Sequence, residues 1–384
     1  MTTSCVPVEI TEKKLTSFMA RLKHLIDTRD NRGKRHELVY VLGSVVLAIM
    51  SGRSYASSIQ RFIKNRIEWL RRILNNPEAK PVSRAQLPRI LAKVDWVALN
   101  EIIWVHFGFK IEVEQGKWYA LDGKALRGIE QSGERVLLAV SHLERKTVAQ
   151  KRMQGPKESE ITAVRNMLAA TGLEKGKITL DALHFNPTTT QQSHQAGGLF
   201  IIQLKDNQPT LFGQMSQEAA EAKPLATFKS TQKSHGRLEV RQAALFDINH
   251  LQLDPRWSQS GLATLIVMSR RTAQLAKQKS SAEVSFYLSN AQVQAGDQQL
   301  QTELVAAIRH HWHIESDNYI RDVSFQEDHV KTKDSNQGHV LASLRTLAIR
   351  VFREANIQNF RAALDDFSDD PAYFETFLRQ FGVL

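Results

Sequence analysis

KWYALDGKALRG (residues 117–128) and TLDALHF (179–185) decide how this chain folds. In the first, Lys117 to Asp122 reads as a strand of aromatic and aliphatic residues that runs into Gly123. In the second, Lys177-Ile-Thr-Leu-Asp181 leaves a sheet in the same way, at an aspartate. Between them, RVLLAVS (135–141) and a strand at 147–153 are joined by the turn His142-Leu-Glu-Arg-Lys146, and a helix follows over 158–171. A helix near 187–196 then precedes the strand GLFIIQL (198–204). Three strands followed by alternating helix and strand predict an α/β fold, with a mixed sheet covered by flanking helices.

On either side the character changes. Residues 206–290 hold strand-like runs at 237–246, 263–268 and 283–288, so they form either a β-rich insertion or an extension of the sheet. From 300 onward the chain turns helical, and Leu300, Leu304, Ile308, Trp312, Glu315 and Tyr319 fall on one face at helical spacing. Upstream, helices are predicted over 12–28, 37–50 and 54–74, then a short one from Ser83 to Lys93 after Pro77 and Pro81. This N-terminal all-α region has the order of a helix-turn-helix, a pattern many small bundles share. The expected division is 1–100 helical and DNA-binding, 112–205 the first part of the core, 206–290 the β-rich insertion, and 291–384 the helical remainder.

Of 384 residues, 51 are Lys or Arg and 40 are Asp or Glu, a net charge of +11. Residues 1–100 hold 18 of the basic and 8 of the acidic residues, so nearly all of the surplus lies in the first quarter. Such an asymmetry points to a polyanion, nucleic acid above all, or else to a cationic solvated surface. Arg84 and Arg89 are candidate DNA contacts or ordinary surface arginines. A single cysteine, Cys5, excludes a disulfide framework and a cysteine zinc site. The longest apolar run, LVYVLGSVVLAIM (38–50), is too short to span a bilayer, and MTTSCVPVEITEKK lacks a signal-peptide pattern. The expectation is a cytoplasmic protein of bacterial type, associated with the nucleoid and not with a membrane.

Ligands of open sheets gather at the carboxyl ends of strands, where Asp122 and Asp181 both fall. Glu315, on the apolar face of its predicted helix, is costly there unless paired or metal-bound. Each acid has an ordinary reading too: Asp-Gly is a common turn, and Glu315 could pair with Arg309 or a histidine. The order strand-Asp, strand-Asp, helix-Glu is more specific, because three carboxylates suffice to hold two Mg²⁺ ions against phosphate oxygens. His310, His311 and His313 fall at i, i+1 and i+3 of a helix, which argues against their converging on zinc.

ALDGKALRG (120–128), ITLDALHF (178–185), QLKDNQPTLF (203–212), HGRLEVR (235–241) and IRHHWHIESDNYIRDVSFQEDH (308–329) together resemble the DDE insertion-sequence transposases, the ISAs-type or H-repeat-associated branch in particular. The resemblance runs from about residue 10 to 355. It implies a ribonuclease-H-like core with Asp122, Asp181 and Glu315 as catalytic metal ligands, two Mg²⁺ per site with Mn²⁺ able to substitute, and a β-rich insertion before Glu315. It also implies strand cleavage and transfer at terminal inverted repeats and into target duplex, by a homodimer or larger synaptic assembly. Related transposases carry Y-x2-R-x3-E-x6-K around the glutamate; here His311 stands at the Arg position and Asp322 at the Lys position, and Asp317 and Tyr319 are also unusual.

By location, Lys124, Arg127, Lys205, Asn207 and Gln208 are candidate DNA contacts at strand ends. His184 either contacts DNA or the attacking water or is a loop histidine. Arg237 and Arg241 either touch the transposon end or belong to a solvated strand face. His311 is a further candidate contact. The alternative functions are a domesticated DNA-binding protein without catalysis, and a stand-alone structure-specific nuclease on the same fold.

Overall fold

The computed structural model describes residues 16–107, 116–129, 133–153, 157–234, 237–274 and 279–384, without the side chains of 157–159 and 234. β1 (Trp118–Ala125), β2 (Arg135–Ser141) and β3 (Thr147–Met153) form an antiparallel meander. α7 (Lys157–Thr171) crosses over to β4 (Lys177–Leu180), which lies parallel to β1 with Ala120 opposite Thr179. Carrying that register two residues further sets Asp122 beside Asp181, just past the end of the β1–β4 pairing; Asp181 ends its strand as expected, whereas β1 runs on through Asp122 to Ala125 because β2 still pairs with it there. α8 (Pro187–Gln195) leads to β5 (Leu199–Leu204), parallel to β4.

Residues 206–290 extend this same sheet. α9 (Pro209–Glu221) comes first, with Pro209 at its first position, where the missing N–H costs nothing. β6 (Ala226–Ser234), β7 (Arg237–Asp247), β8 (Thr264–Gln274) and β9 (Lys279–Ser289) follow as antiparallel neighbours. β9 pairs with β5, Ile201 opposite Ser289, giving the order β3-β2-β1-β4-β5-β9-β8-β7-β6 among the described residues. These strands outrun their apolar segments because antiparallel pairing satisfies the backbone even where Arg270, Arg271 and the 279–283 stretch are exposed.

The helical body has two sources. α1 (Phe18–Leu22), α2 (Leu38–Met50), α3 (Ala56–Asn65), α4 (Ile67–Ile73), α5 (Gln86–Leu91) and α6 (Trp96–His106) precede the sheet. α12 (Ser335–Glu354), α13 (Phe360–Asp369) and α14 (Pro371–Gln380) end the chain, and the two sets share one apolar core from Phe18 to Val383. α2 is buried on nearly every side, as its unbroken apolar run predicts, and packs against α12. The single helix expected over 54–74 is two, divided at Arg66, where φ is −111° and ψ 22°. The short helix expected from Ser83 to Lys93 is confined to α5 and follows Ala85, not Ser83; the Ser83 hydroxyl accepts from the Gln86 N–H at 3.2 Å in the turn before it. No helix among the described residues is long and apolar enough to cross a membrane.

α10 (Gln298–His311) and α11 (His313–Tyr319) lie over the ends of β1 and β4, and here the expected single helix is corrected. The chain turns at Trp312, which ends one helix and starts the next with φ −63° and ψ −7°. The apolar stripe therefore divides: Leu304 and Ile308 stay buried, whereas Trp312 and Tyr319 are 50% and 64% exposed.

Candidate active site

Asp122 sits where β1 leaves the core. Burial pushes its carboxyl up to about 7, and Asp181, Glu160 and Glu315 add repulsion, against one opposing hydrogen bond from the Gly123 N–H. The three sequence-predicted acids are thus electrostatic neighbours. Asp181 caps the turn that follows β4, its Oδ1 accepting from the Leu183 N–H at 3.0 Å. Glu315 is exposed in the first turn of α11, so the sequence argument that a buried carboxylate needs a partner does not apply to it.

Glu160, on α7, is an acid that sequence reasoning missed. It is buried, pairs with Arg135 of β2, and approaches the His184 Nε2 at 3.7 Å. Gly123 makes room for it: a Cβ there would stand 2.6 Å from the Glu160 Oε1. His184 is fully buried, 3.8 Å from the Asp181 Oδ1, with neither ring nitrogen hydrogen-bonded. Burial lowers its pKa, against the pull of Asp181 and Glu160. A His184 closed off in this way does not present itself to DNA. His311 is half-buried, and its Nδ1 lies 2.8 Å from the Thr179 Oγ1. Burial holds its pKa down at about 4, so it is a neutral ring, not the cation an arginine would be at that position.

The basic candidates divide by their partners. Lys124 is buried, and its Nζ binds the Asp322 Oδ1 at 2.6 Å and the Asp328 Oδ1 at 3.3 Å. In this state it fastens the segment after Glu315 to β1 and is not a free phosphate contact. The acid at the family's lysine position is therefore the partner of a lysine from another strand. Asp317, equally unexpected, is fully buried and pairs with Arg321 at 3.1 Å. Asn207 and Gln208 donate to the carbonyls of Ala182 and Phe185, at 2.7 and 2.9 Å, and so fix the loop after Asp181. Arg127 and Lys205 are exposed beside the strand ends, Arg127 being 3.7 Å from the Asp328 Oδ2. Arg237 is exposed on the sheet extension, while Arg241 pairs with Glu239. Arg241 also lines a cleft with Arg270, Arg309 and Trp312. Arg84 and Arg89 are exposed at α5, in the helical body. Among the described residues no three His, Cys, Asp or Glu side chains converge closely enough to enclose a metal ion; the acids cluster without closing a cage.

Residues 19–106 match a family model described as DDE_Tnp_1-associated, so α1 to α6 define a region of the kind found with DDE transposases. Across most of its length the chain is similar to particular proteins of Escherichia coli. It is 25% identical to "Putative transposase YncI" of strain O157:H7 over 88% of each chain. It is 25% identical to "H repeat-associated putative transposase YhhI" of strain K12, over 91% of this chain and 93% of that protein. An "Uncharacterized protein in dhlA 3'region" of Xanthobacter autotrophicus is 28% identical over 63% of this chain and 84% of its own length. These matches support a transposase family of the H-repeat type, the resemblance that the sequence motifs carried.

Proposed function

We propose that this chain is a DNA transposase that cleaves phosphodiester bonds at the ends of its element and joins the freed ends to target DNA. The carrying observation is the crowding around Asp122: burial and three neighbouring carboxylates hold its carboxyl up near 7. Carboxylates gathered where the parallel pairing of β1 and β4 ends are a donor set suited to a hard divalent ion. Asp122, Asp181 and Glu315 would hold Mg²⁺ or Mn²⁺ on a ribonuclease-H-like β1–β5 core. Glu315 lies on the exposed face of α11, a helix anchored by the buried Ile314 and Asp317. Bound metal supplies Lewis-acid stabilisation of the phosphoryl oxygens and lowers the pKa of an attacking oxygen.

The protein's own groups have distinct tasks. The Asp181 turn, braced by Leu183, Asn207 and Gln208, keeps its carboxylate at the strand end. Lys124 holds the Asp322–Asp328 segment, and with it the base of α11, against β1. Arg127 and Lys205 are placed to take backbone phosphates, and the basic first hundred residues to hold the terminal repeats in a dimeric or larger synapse. Purified protein is expected to nick DNA spanning its gene's flanks only with Mg²⁺ or Mn²⁺, and Asp122→Asn, Asp181→Asn and Glu315→Gln each to abolish nicking while retaining DNA binding. Cutting by all three variants at the wild-type rate refutes the assignment; binding without cutting by the wild type under any metal favours a domesticated DNA-binding protein.

A further inference from the structure

Behind the acid cluster runs a buried chain that no step above uses. The Thr179 Oγ1, on β4 two residues before Asp181, lies 2.9 Å from the His142 Nε2 and 2.8 Å from the His311 Nδ1. Thr179 and His142 are both buried, and a third approach to the Thr179 hydroxyl, the Tyr119 carbonyl at 3.5 Å, is too long to compete. One hydroxyl has one hydrogen, so it donates to one imidazole and accepts from the other.

The two directions are not equivalent. If the hydroxyl donated to His142, the hydrogen of that ring would sit on Nδ1, which is buried with no hydrogen-bond partner. An orphaned buried N–H is costlier and rarer than an unused lone pair. The favoured direction is therefore from the His142 N–H to Thr179, and from the Thr179 O–H to the His311 Nδ1. Both rings are neutral at physiological pH: burial and the neighbouring histidines hold His142 down at about 2, and burial holds His311 at about 4. The hydrogen of His311 is then confined to Nε2, which makes no protein hydrogen bond among the described residues. The ionised neighbour His311 feels most is Asp181.

We propose that His142 and Thr179 are positioning residues that lock His311 as a neutral Nε2–H donor aimed at a phosphate oxygen of the nucleic acid held at Asp122 and Asp181. The choice of a neutral donor has a physical reason. A neutral N–H orients a phosphate oxygen without adding a fixed positive charge beside the carboxylates, as the arginine of related transposases does at this place. The substrate half of this inference rests on the proposed transposase function; the tautomer half does not.

The test uses the full chain with ¹⁵N-labelled histidine, free of metal, at neutral pH, with the His311 signals identified by their loss in His311→Gln. Ring-nitrogen shifts are expected to show His311 wholly as the Nε2–H tautomer. Thr179→Val, nearly isosteric, should give a mixture of tautomers, and Thr179→Ser should restore the single form; His142→Gln reads the chain from its other end. With Mn²⁺ and DNA, Thr179→Val should slow cleavage by about 10- to 100-fold, with recovery in Thr179→Ser. An Nδ1–H tautomer in the wild type, or an unchanged His311 in Thr179→Val, overturns the relay. A lost tautomer with an unmoved cleavage rate overturns its role toward phosphate. If the wild type cuts no DNA, the transposase reading fails, and the nitrogen shifts still decide the relay.

Discussion

Asp122→Asn should make the metal-free protein more stable at neutral and alkaline pH. In the folded chain this carboxyl titrates at about 7, against 3.8 for the free side chain, because burial and three nearby acids oppose its charge. Below about pH 4 both folded and unfolded forms are protonated and the group costs nothing. Between about 4 and 7 the unfolded chain releases its proton first, so stability falls as pH rises, and the loss is complete above the folded pKa. Roughly three pH units at about 1.4 kcal/mol each give about 4 kcal/mol, and partial contact with water reduces this to about 2–4 kcal/mol. Asparagine keeps the shape and removes the charge. Urea unfolding in EDTA should therefore give matching stabilities for wild type and variant near pH 4 and a variant about 2–4 kcal/mol more stable near pH 8. Saturating Mg²⁺ should close that gap by stabilising the wild type alone. A pH-independent difference, or a variant less stable near pH 8, would refute the view that Asp122 is an electrostatically strained carboxylate awaiting a cation.

Two substitutions test the supports of the site. Arg321→Leu leaves Asp317 charged and fully buried, and should cost about 3–5 kcal/mol in thermal or urea unfolding. The double variant Asp317→Leu/Arg321→Leu should recover part of that loss, the remainder belonging to the buried Glu327, which Arg321 also approaches at 3.9 Å, and a single variant within about 1 kcal/mol of wild type would show the pair to be dispensable. Gly128→Ala places a Cβ 2.0 Å from the Val330 carbonyl oxygen, beside the hydrogen bond from the Thr332 N–H to the Gly128 carbonyl at 2.9 Å. It should cost about 1–3 kcal/mol and expose the 328–332 segment to protease; undiminished stability would place the two backbones further apart than described.

The strands of the first half were legible because they hold continuous apolar runs, as from Val136 to Val140, although β1 runs on through Asp122-Gly123 to Ala125, where β2 still pairs with it. β6 was not, since ATFKSTQKS contains one large apolar side chain and owes its strand state to pairing with β7. α9 is faint in the sequence because, behind the start signal Gln208-Pro209, only Leu211, Met215 and the polar Glu218 are buried along it. The turn at Trp312 is invisible to periodicity, as its φ and ψ remain close to helical, and that turn decides which face carries Glu315. Asp181 could be named from its place at a strand end, and Asp122 from the Asp-Gly signal, although its strand continues to Ala125. Glu160 could not: its approach to His184 depends on how α7 crosses the sheet. Lys124 was read as a free cation because its partners, Asp322 and Asp328, lie about two hundred residues away in sequence.

Because β6 to β9 join the sheet that carries Asp122 and Asp181, the molecule contains a fixed ruler. From β4, which leads into Asp181, to β7, which begins with Arg237, the sheet counts four strand steps through β5, β9 and β8. At about 4.8 Å a step this is roughly 19 Å across the strands, and because the paired registers set Leu180 level with Phe246, Arg237 stands about 30 Å further along β7. A DNA segment gripped on the outer strands would meet the acids at an offset measured by hydrogen-bonded backbone.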